Sequence, residues 1–178
     1  MAMLHIFGRF ITARDRNMML RVSQWSPPRW VRIWMTSSTR AGDGWLWASL
    51  AIPILWLGGH RRYEAMMVLA SAALTGILVF LLLKRMCSRE RPCAIAPISW
   101  KELVPPDRFS FPSGHSITAF AMAVPLSLFY PAFMLGLMFC AVSVATSRVV
   151  LGLHFLSDVV AGSLMGAGIG YAAYSLVV

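Results

Sequence analysis

Charge is scarce in this sequence. Only 13% of the 178 residues are charged, against about 25% in an ordinary soluble domain. Beyond Arg108 the only charged side chains in the sequence are Arg148 and Asp158. Hydrophobic residues make up 58%, and so apolar a chain of this length needs lipid against much of its surface. Cysteine is sparse too: Cys87, Cys93 and Cys140. Cys87 and Cys93 bracket a loop, but no second pair completes a zinc site. A disulfide between them and two unpaired thiols both remain open. No secretory signal peptide is expected, because Arg9 interrupts the apolar start and Arg14 and Arg16 follow it. No low-complexity tract or useful internal repeat divides the chain. The net charge of +9 raises nucleic acid as a partner. The basic residues, however, collect in the N-terminal segment and in loops beside apolar runs, not along one solvated face. No nucleic-acid partner is expected.

What is present is a series of apolar runs. They cover about Trp45–Leu57 (with Pro53 inside), Ala65–Leu83, Ile117–Tyr130, Ala132–Ala145 and Phe155–Val178. A helix needs roughly 20 residues to cross a bilayer core, which the first, third and fourth reach only with their flanks. Gly162, Gly166 and Gly170 recur every four residues, a spacing that lets helices approach closely. Residues 1–42 read differently. Leu4, Phe7 and Ile11 fall at helical spacing, and Trp25, Trp30 and Trp34 alternate with Arg29 and Arg32. Such a segment either lies in the headgroup layer or packs on protein as an ordinary amphipathic helix. The expected fold is all-α: a polytopic membrane bundle of about five transmembrane helices over residues 43–178, preceded by an interfacial amphipathic segment over 1–42.

Ionisable residues at membrane depth are costly and usually mark function. Three clusters qualify, each at the end of an apolar run. Lys84 and Arg91 are seven residues apart, two helical turns, so in a helix both project on one side as a phosphate clamp or a basic helix flank. Phe111-Pro112-Ser113-Gly114-His115-Ser116 opens the third run, where a helix N-terminus favours anions. Ser113 adds a donor, Gly114 permits close backbone approach, and His115 titrates near neutral pH. Helix capping accounts for the proline and serine but leaves the histidine unexplained. Arg148, His154 and Asp158 join the fourth and fifth runs. His154 and Asp158 are four apart, so in a helix they share a face and can hydrogen-bond. A carboxylate on one imidazole nitrogen would leave the other free to attack. In hairpin order, all three clusters converge on one face of the bilayer.

These clusters resemble the signature of the type-2 phosphatidic acid phosphatase family, lipid phosphatases related to vanadium haloperoxidases. The family's pattern is matched in order by Lys84, Arg91 and Pro92, then Pro112, Ser113, Gly114 and His115, then Ser147, Arg148, His154 and Asp158. The resemblance implies that His154 attacks phosphorus and carries the phosphoryl group, with Asp158 orienting it. It implies that His115 protonates the leaving lipid oxygen and then helps activate water. Lys84, Arg91, Ser113, Gly114 and Arg148 would bind the nonbridging oxygens, with no metal or other cofactor. The expected substrate is a lipid phosphate or pyrophosphate: undecaprenyl pyrophosphate, towards which the small size leans, phosphatidylglycerophosphate, phosphatidic acid or a lipid A phosphate. Many relatives have six membrane helices, which leaves the role of residues 1–42 unassigned. The site is expected at a bacterial inner membrane, on the periplasmic face favoured by relatives acting on envelope lipids, although the positive-inside tendency points to the cytoplasm. Two other functions fit parts of the pattern. A phosphotransferase would pass the phosphoryl group to an alcohol instead of water. A transporter would use Arg148 and Asp158 as intramembrane polar sites and tolerate loss of His154. Halide oxidation is disfavoured for a membrane-buried site.

Overall fold

Proline and glycine decide where the helices break. The computed structural model describes residues 2–87, 89–95 and 108–178, and side chains over 13–87, 89–94 and 108–178. The side chains of Leu4, Phe7 and Ile11 and the middle of the Arg85–Phe111 loop lie outside what is described. The described chain forms α1 (Ala2–Gln24), α2 (Arg29–Ala41), α3 (Trp45–Ser49), α4 (Ala51–Leu57), α5 (Arg62–Met86), α6 (Pro92–Ile95), α7 (Gly114–Phe129), α8 (Met134–Val150) and α9 (Leu156–Val177). No strand is present among the described residues. The run Trp45–Leu57 is interrupted at Leu50. Pro53 explains the break, since its ring meets the carbonyl four residues back and it offers no N–H. Gly59, at φ 67, then turns the chain into α5.

α5 with the turn before it (Gly59–Met86), α8 with its leading turn (Pro131–Val150) and α9 are long and apolar enough to cross a membrane. The other two expected runs form shorter apolar helices, Trp45–Leu57 and α7. α7, at 16 residues, rises about 24 Å against a hydrocarbon core of about 30 Å. It lies inside the bundle, in contact with α5, α8 and α9. Leu74, Leu78, Leu81 and Leu82 of α5, Leu135 of α8 and Leu164 and Leu176 of α9 are exposed. Such an apolar surface suits lipid and not water. The protein is built as an integral membrane protein.

The glycine ladder sets the distance between α7 and α9. A methyl group on Gly162 would stand 2.8 Å from the Ser113 carbonyl oxygen, one on Gly166 2.2 Å from that of Ile117, and one on Gly170 2.8 Å from that of Ala121. Three glycines at spacing four thus lie on three carbonyls at spacing four. This contact brings the N-terminus of α9 beside that of α7, where the second and third clusters sit.

The N-terminal segment packs on the bundle through one face. In α2, Val31 and Met35 are buried with Leu151 and Leu153, and Trp34 stacks on Phe139 of α8 at 5.8 Å. Trp30 and Ile33 stay exposed. Met19 of α1 is buried with Ala145, Val149, Phe155 and Val159.

Candidate active site

Four helix ends meet around a short turn that carries His154. The turn, residues 151–155, follows α8, and Gly152 takes a positive φ of 63 there. The backbone N–H groups of Leu153 and His154 both donate to the Arg148 carbonyl at 3.0 Å, which closes the turn over the end of α8. His154 therefore precedes α9, and the expected helical register with Asp158 does not hold. The Nδ1 atom of His154 lies 2.6 Å from the Ser110 carbonyl oxygen, while the nearest carboxylate oxygen of Asp158 is 3.9 Å away. A carbonyl only accepts, so Nδ1 carries the hydrogen and Nε2 keeps its lone pair. That lone pair faces Arg91, whose Nη1 stands 3.1 Å away and also donates to the Leu153 carbonyl at 2.7 Å.

His154 is buried in a loop outside the membrane-spanning segments. Burial first, then the guanidiniums of Arg148 and Arg91, hold its imidazole well below the ordinary value; the Ser110 carbonyl opposes them. The ring is therefore neutral at pH 7, as a nitrogen nucleophile must be. Arg148 and Arg91 stand close enough to act electrostatically on both His154 and His115, and Lys84 acts on His154 as well.

Asp158, fully buried, does its work through the backbone and through an arginine that the motif reading passed over. One carboxylate oxygen accepts from the Phe155 N–H at 2.9 Å, capping α9 at the position where a negative charge suits the helix dipole. The other accepts from Arg89 at 2.7 Å. Arg89 also donates to Ser157 Oγ at 2.7 Å and to Asp15 of α1 at 2.7 Å, and lies 4.1 Å over the Phe155 ring. Asp15 is buried and accepts in turn from the N–H and hydroxyl of Ser157. Arg89 and Asp158 thus clamp the two sides of the His154 turn.

The remaining residues fall around this centre. Lys84 sits in the last turn of α5 with its ammonium 4.8 Å over the Phe80 ring. Arg91 lies beyond the end of α5 at Met86, so the two-turn helical spacing expected of this pair does not apply. Instead, the segment carrying Arg91 is tied to the chain before α7 by a bridge between Glu90 and Phe109 and by the Ser110 N–H donating to the Arg89 carbonyl at 2.7 Å. Ser113 stands at the N-cap position of α7 and is buried, its N–H donating to the Asp158 carbonyl at 3.3 Å and its hydroxyl oxygen accepting from Ser116 at 2.9 Å. A methyl group on Gly114 would stand 3.0 Å from the Phe80 ring, so glycine lets α5 and the start of α7 close up. Arg148 is buried and donates to Thr39 of α2. His115, on the first turn of α7, is partly exposed and bonds Asp43 of the turn before α3 at 2.7 Å.

All eight expected site residues lie on the four converging helix ends or on the loops joining them. Sequence reasoning missed Arg89, Asp15, Thr39, Asp43 and the Ser110 carbonyl. Arg89 had a visible signal, since it stands inside the basic cluster. The Ser110 carbonyl had none, because every residue has one. Buried cations beside a buried neutral imidazole form an arrangement suited to holding an anion.

A lipid A 1-phosphatase of Rhizobium johnstonii is 31% identical over 125 residues, 66% of this chain and 46% of that protein. The chain thus spans about half the length of the curated relatives it matches first. A crystal structure of LpxE from Aquifex aeolicus matches with a TM-score of 0.75 at 24% identity, over 89% of this chain and 93% of that one. The transmembrane PAP2-type phosphatidylglycerolphosphate phosphatase of Bacillus subtilis gives a TM-score of 0.70 at 24% identity, over 93% of this chain and 85% of that one. Both are likenesses of fold. A family model for the PAP2 superfamily matches residues 64–178, the region that holds every expected site residue, and the chain belongs to that superfamily.

Proposed function

We propose that this protein is a membrane phosphatase that removes phosphate from a lipid phosphate or pyrophosphate through a phosphohistidine on His154. The observation that carries the reading is the setting of His154: a neutral buried imidazole, Nδ1–H held by the Ser110 carbonyl and Nε2 turned towards Arg91. Phosphoryl transfer asks mainly for positioning and for positive charge around the equatorial oxygens. Lys84, Arg91, Arg148, Ser113 and the first turn of α7 at Gly114 are the groups suited to that role. In the reaction, Nε2 of His154 attacks phosphorus while the bond to the lipid oxygen breaks, and His115 supplies the proton that oxygen needs. Asp158 holds the His154 turn and Arg89 in place. Water, giving a proton to His115, then attacks the phosphohistidine and frees phosphate.

Substitution His154→Ala should abolish phosphate release while leaving a folded protein; unchanged turnover would rule the mechanism out. Acid-labile phosphate should be trapped on His154 with a slow substrate, and label on a serine would overturn the assignment. The substrate class is supported by the lipid A 1-phosphatase and the phosphatidylglycerolphosphate phosphatase among the similar proteins. A phosphate-release panel of lipid A 1-phosphate, phosphatidylglycerophosphate, phosphatidic acid and undecaprenyl pyrophosphate in detergent separates the candidates. A bacterial inner-membrane location with a periplasmic site completes the reading. It is checked by labelling Cys87 and Cys93, both free thiols, with an impermeant maleimide in intact cells. Protection of both until the cells are opened would place the site in the cytoplasm.

A further inference from the structure

We propose that Asp43 is a positioning residue for the proton transfers of His115, an inference that rests on the phosphatase reading above. Asp43 Oδ1 stands 2.7 Å from His115 Nε2. A carboxylate only accepts, so Nε2 carries a hydrogen and donates it, and Nδ1 is the ring nitrogen left to exchange protons with the substrate. The turn that holds Asp43 is built around the imidazole. Its backbone is fixed by the Gly42 N–H on the Ser38 carbonyl at 3.0 Å and the Asp43 N–H on the Arg40 carbonyl at 3.1 Å. A methyl group on Gly42 would stand 3.0 Å from His115 Cδ2 and 2.7 Å from Val144 Cγ1. The absence of a side chain there lets the ring lie against the turn. Gly44, at φ 114, then redirects the chain into α3, a conformation that other residues rarely adopt.

Exposure points to catalysis and not to folding. The Asp43 side chain is 56% exposed and that of His115 23%, and a polar contact so open to solvent adds little to stability. His154 is 2% exposed, so of the two imidazoles His115 is the one open to solvent. As the bond from Nε2 of His154 to phosphorus forms and the bond from phosphorus to the lipid oxygen breaks, that oxygen keeps the electron pair and takes the proton from Nδ1 of the His115 imidazolium. In the second step a water gives its proton back to Nδ1, its oxygen bonds phosphorus, and the electron pair of the breaking P–N bond returns to His154. Asp43 favours the imidazolium against burial and the charges of Arg148 and Arg91, which oppose it, and by taking the Nε2 hydrogen it leaves Nδ1 to exchange the proton in both steps.

The test uses leaving groups. The alkoxide of phosphatidic acid needs protonation, whereas the anion from p-nitrophenyl phosphate departs nearly unaided, and general acid catalysis contributes about 10²–10⁴-fold. Asp43→Asn should lower the ratio of kcat/KM for phosphatidic acid to that for p-nitrophenyl phosphate by about 10–100-fold. Asp43→Glu should recover most of it, and Asp43→Asn should add nothing in a His115→Gln background. Equal losses on both substrates, or no loss on either, would overturn the proposal. A His115→Gln enzyme with an unchanged ratio would instead remove the acid role of His115. A wild type releasing phosphate from p-nitrophenyl phosphate and from none of the four panel lipids would remove the lipid substrate, and one releasing it from none of the five would sink the phosphatase reading itself.

Discussion

At the scale of single residues, the site depends on groups that hold other groups. Arg89 bridges Asp15 and Asp158 at 2.7 Å each, both carboxylates being nearly or fully buried. Arg89→Ala leaves two buried carboxylates without their cation. It should cost about 2–3 kcal/mol, between the ranges for buried and exposed pairs. Thermal unfolding in detergent measures the loss, and kcat should fall with it because the His154 turn loses its clamp. His154 gives a pH signature of its own. Its folded-state value lies below the ordinary one, so on acidification the unfolded chain takes up this proton first. Its contribution to stability is intact above about pH 6.5 and is lost as pH falls below it. The drop in unfolding temperature between pH 7.5 and pH 5 should therefore be smaller in His154→Gln than in wild type; equal drops would refute the assignment of a buried neutral ring.

At the scale of elements, the α7–α9 contact controls where the candidate site residues Ser113 and Asp158 stand. Gly166→Ala drives a methyl group to within 2.2 Å of the Ile117 carbonyl oxygen, and forcing the helices apart should cost about 1–3 kcal/mol. Because Ser113 and Asp158 meet across the same pair of helices, activity should fall together with the unfolding temperature. Gly168 lies on the same helix, and a methyl group there meets nothing within 4 Å. Gly168→Ala should leave both measurements near wild type, which distinguishes helix separation from any general effect of alanine in α9. The periodicity of the ladder was legible in the sequence as a packing device. Its partner, the carbonyl row of α7, was not, because a glycine stripe does not say which helix lies on it.

At the scale of the whole molecule, residues 1–42 are joined to the candidate site. α1 supplies Asp15 to Arg89 and α2 supplies Thr39 to Arg148. Removing residues 1–28 should therefore leave the membrane bundle able to insert but lower kcat/KM by about tenfold or more, roughly the 1.4 kcal/mol equivalent of one lost supporting contact. Phosphate release from membranes with matched protein levels checks it; full activity in the shortened chain would show that α1 is dispensable. The sequence showed an arginine- and tryptophan-rich segment with two open readings, at the interface or on protein. The geometry shows α2 packed by its Val31 and Met35 face while Trp30 and Ile33 remain exposed.

Composition and periodicity by themselves determined that this chain is helical and lipid-solvated, since apolar runs with so little charge have no other stable arrangement. They also placed Lys84, Arg91, Ser113, Gly114, His115, Arg148, His154 and Asp158 at the ends of those runs, because hairpin order alone brings alternate helix ends together. Tertiary structure alone decided what each of them touches. His154 sits on a turn and bonds a backbone carbonyl, while Asp158 caps α9 and holds Arg89. Asp43, Asp15 and Thr39 arrive from a segment far away in the chain. Spacing fixes neighbours only along a regular helix, and the chemistry here lies where the helices stop, so contacts depend on how the turns close and which ends pack side by side.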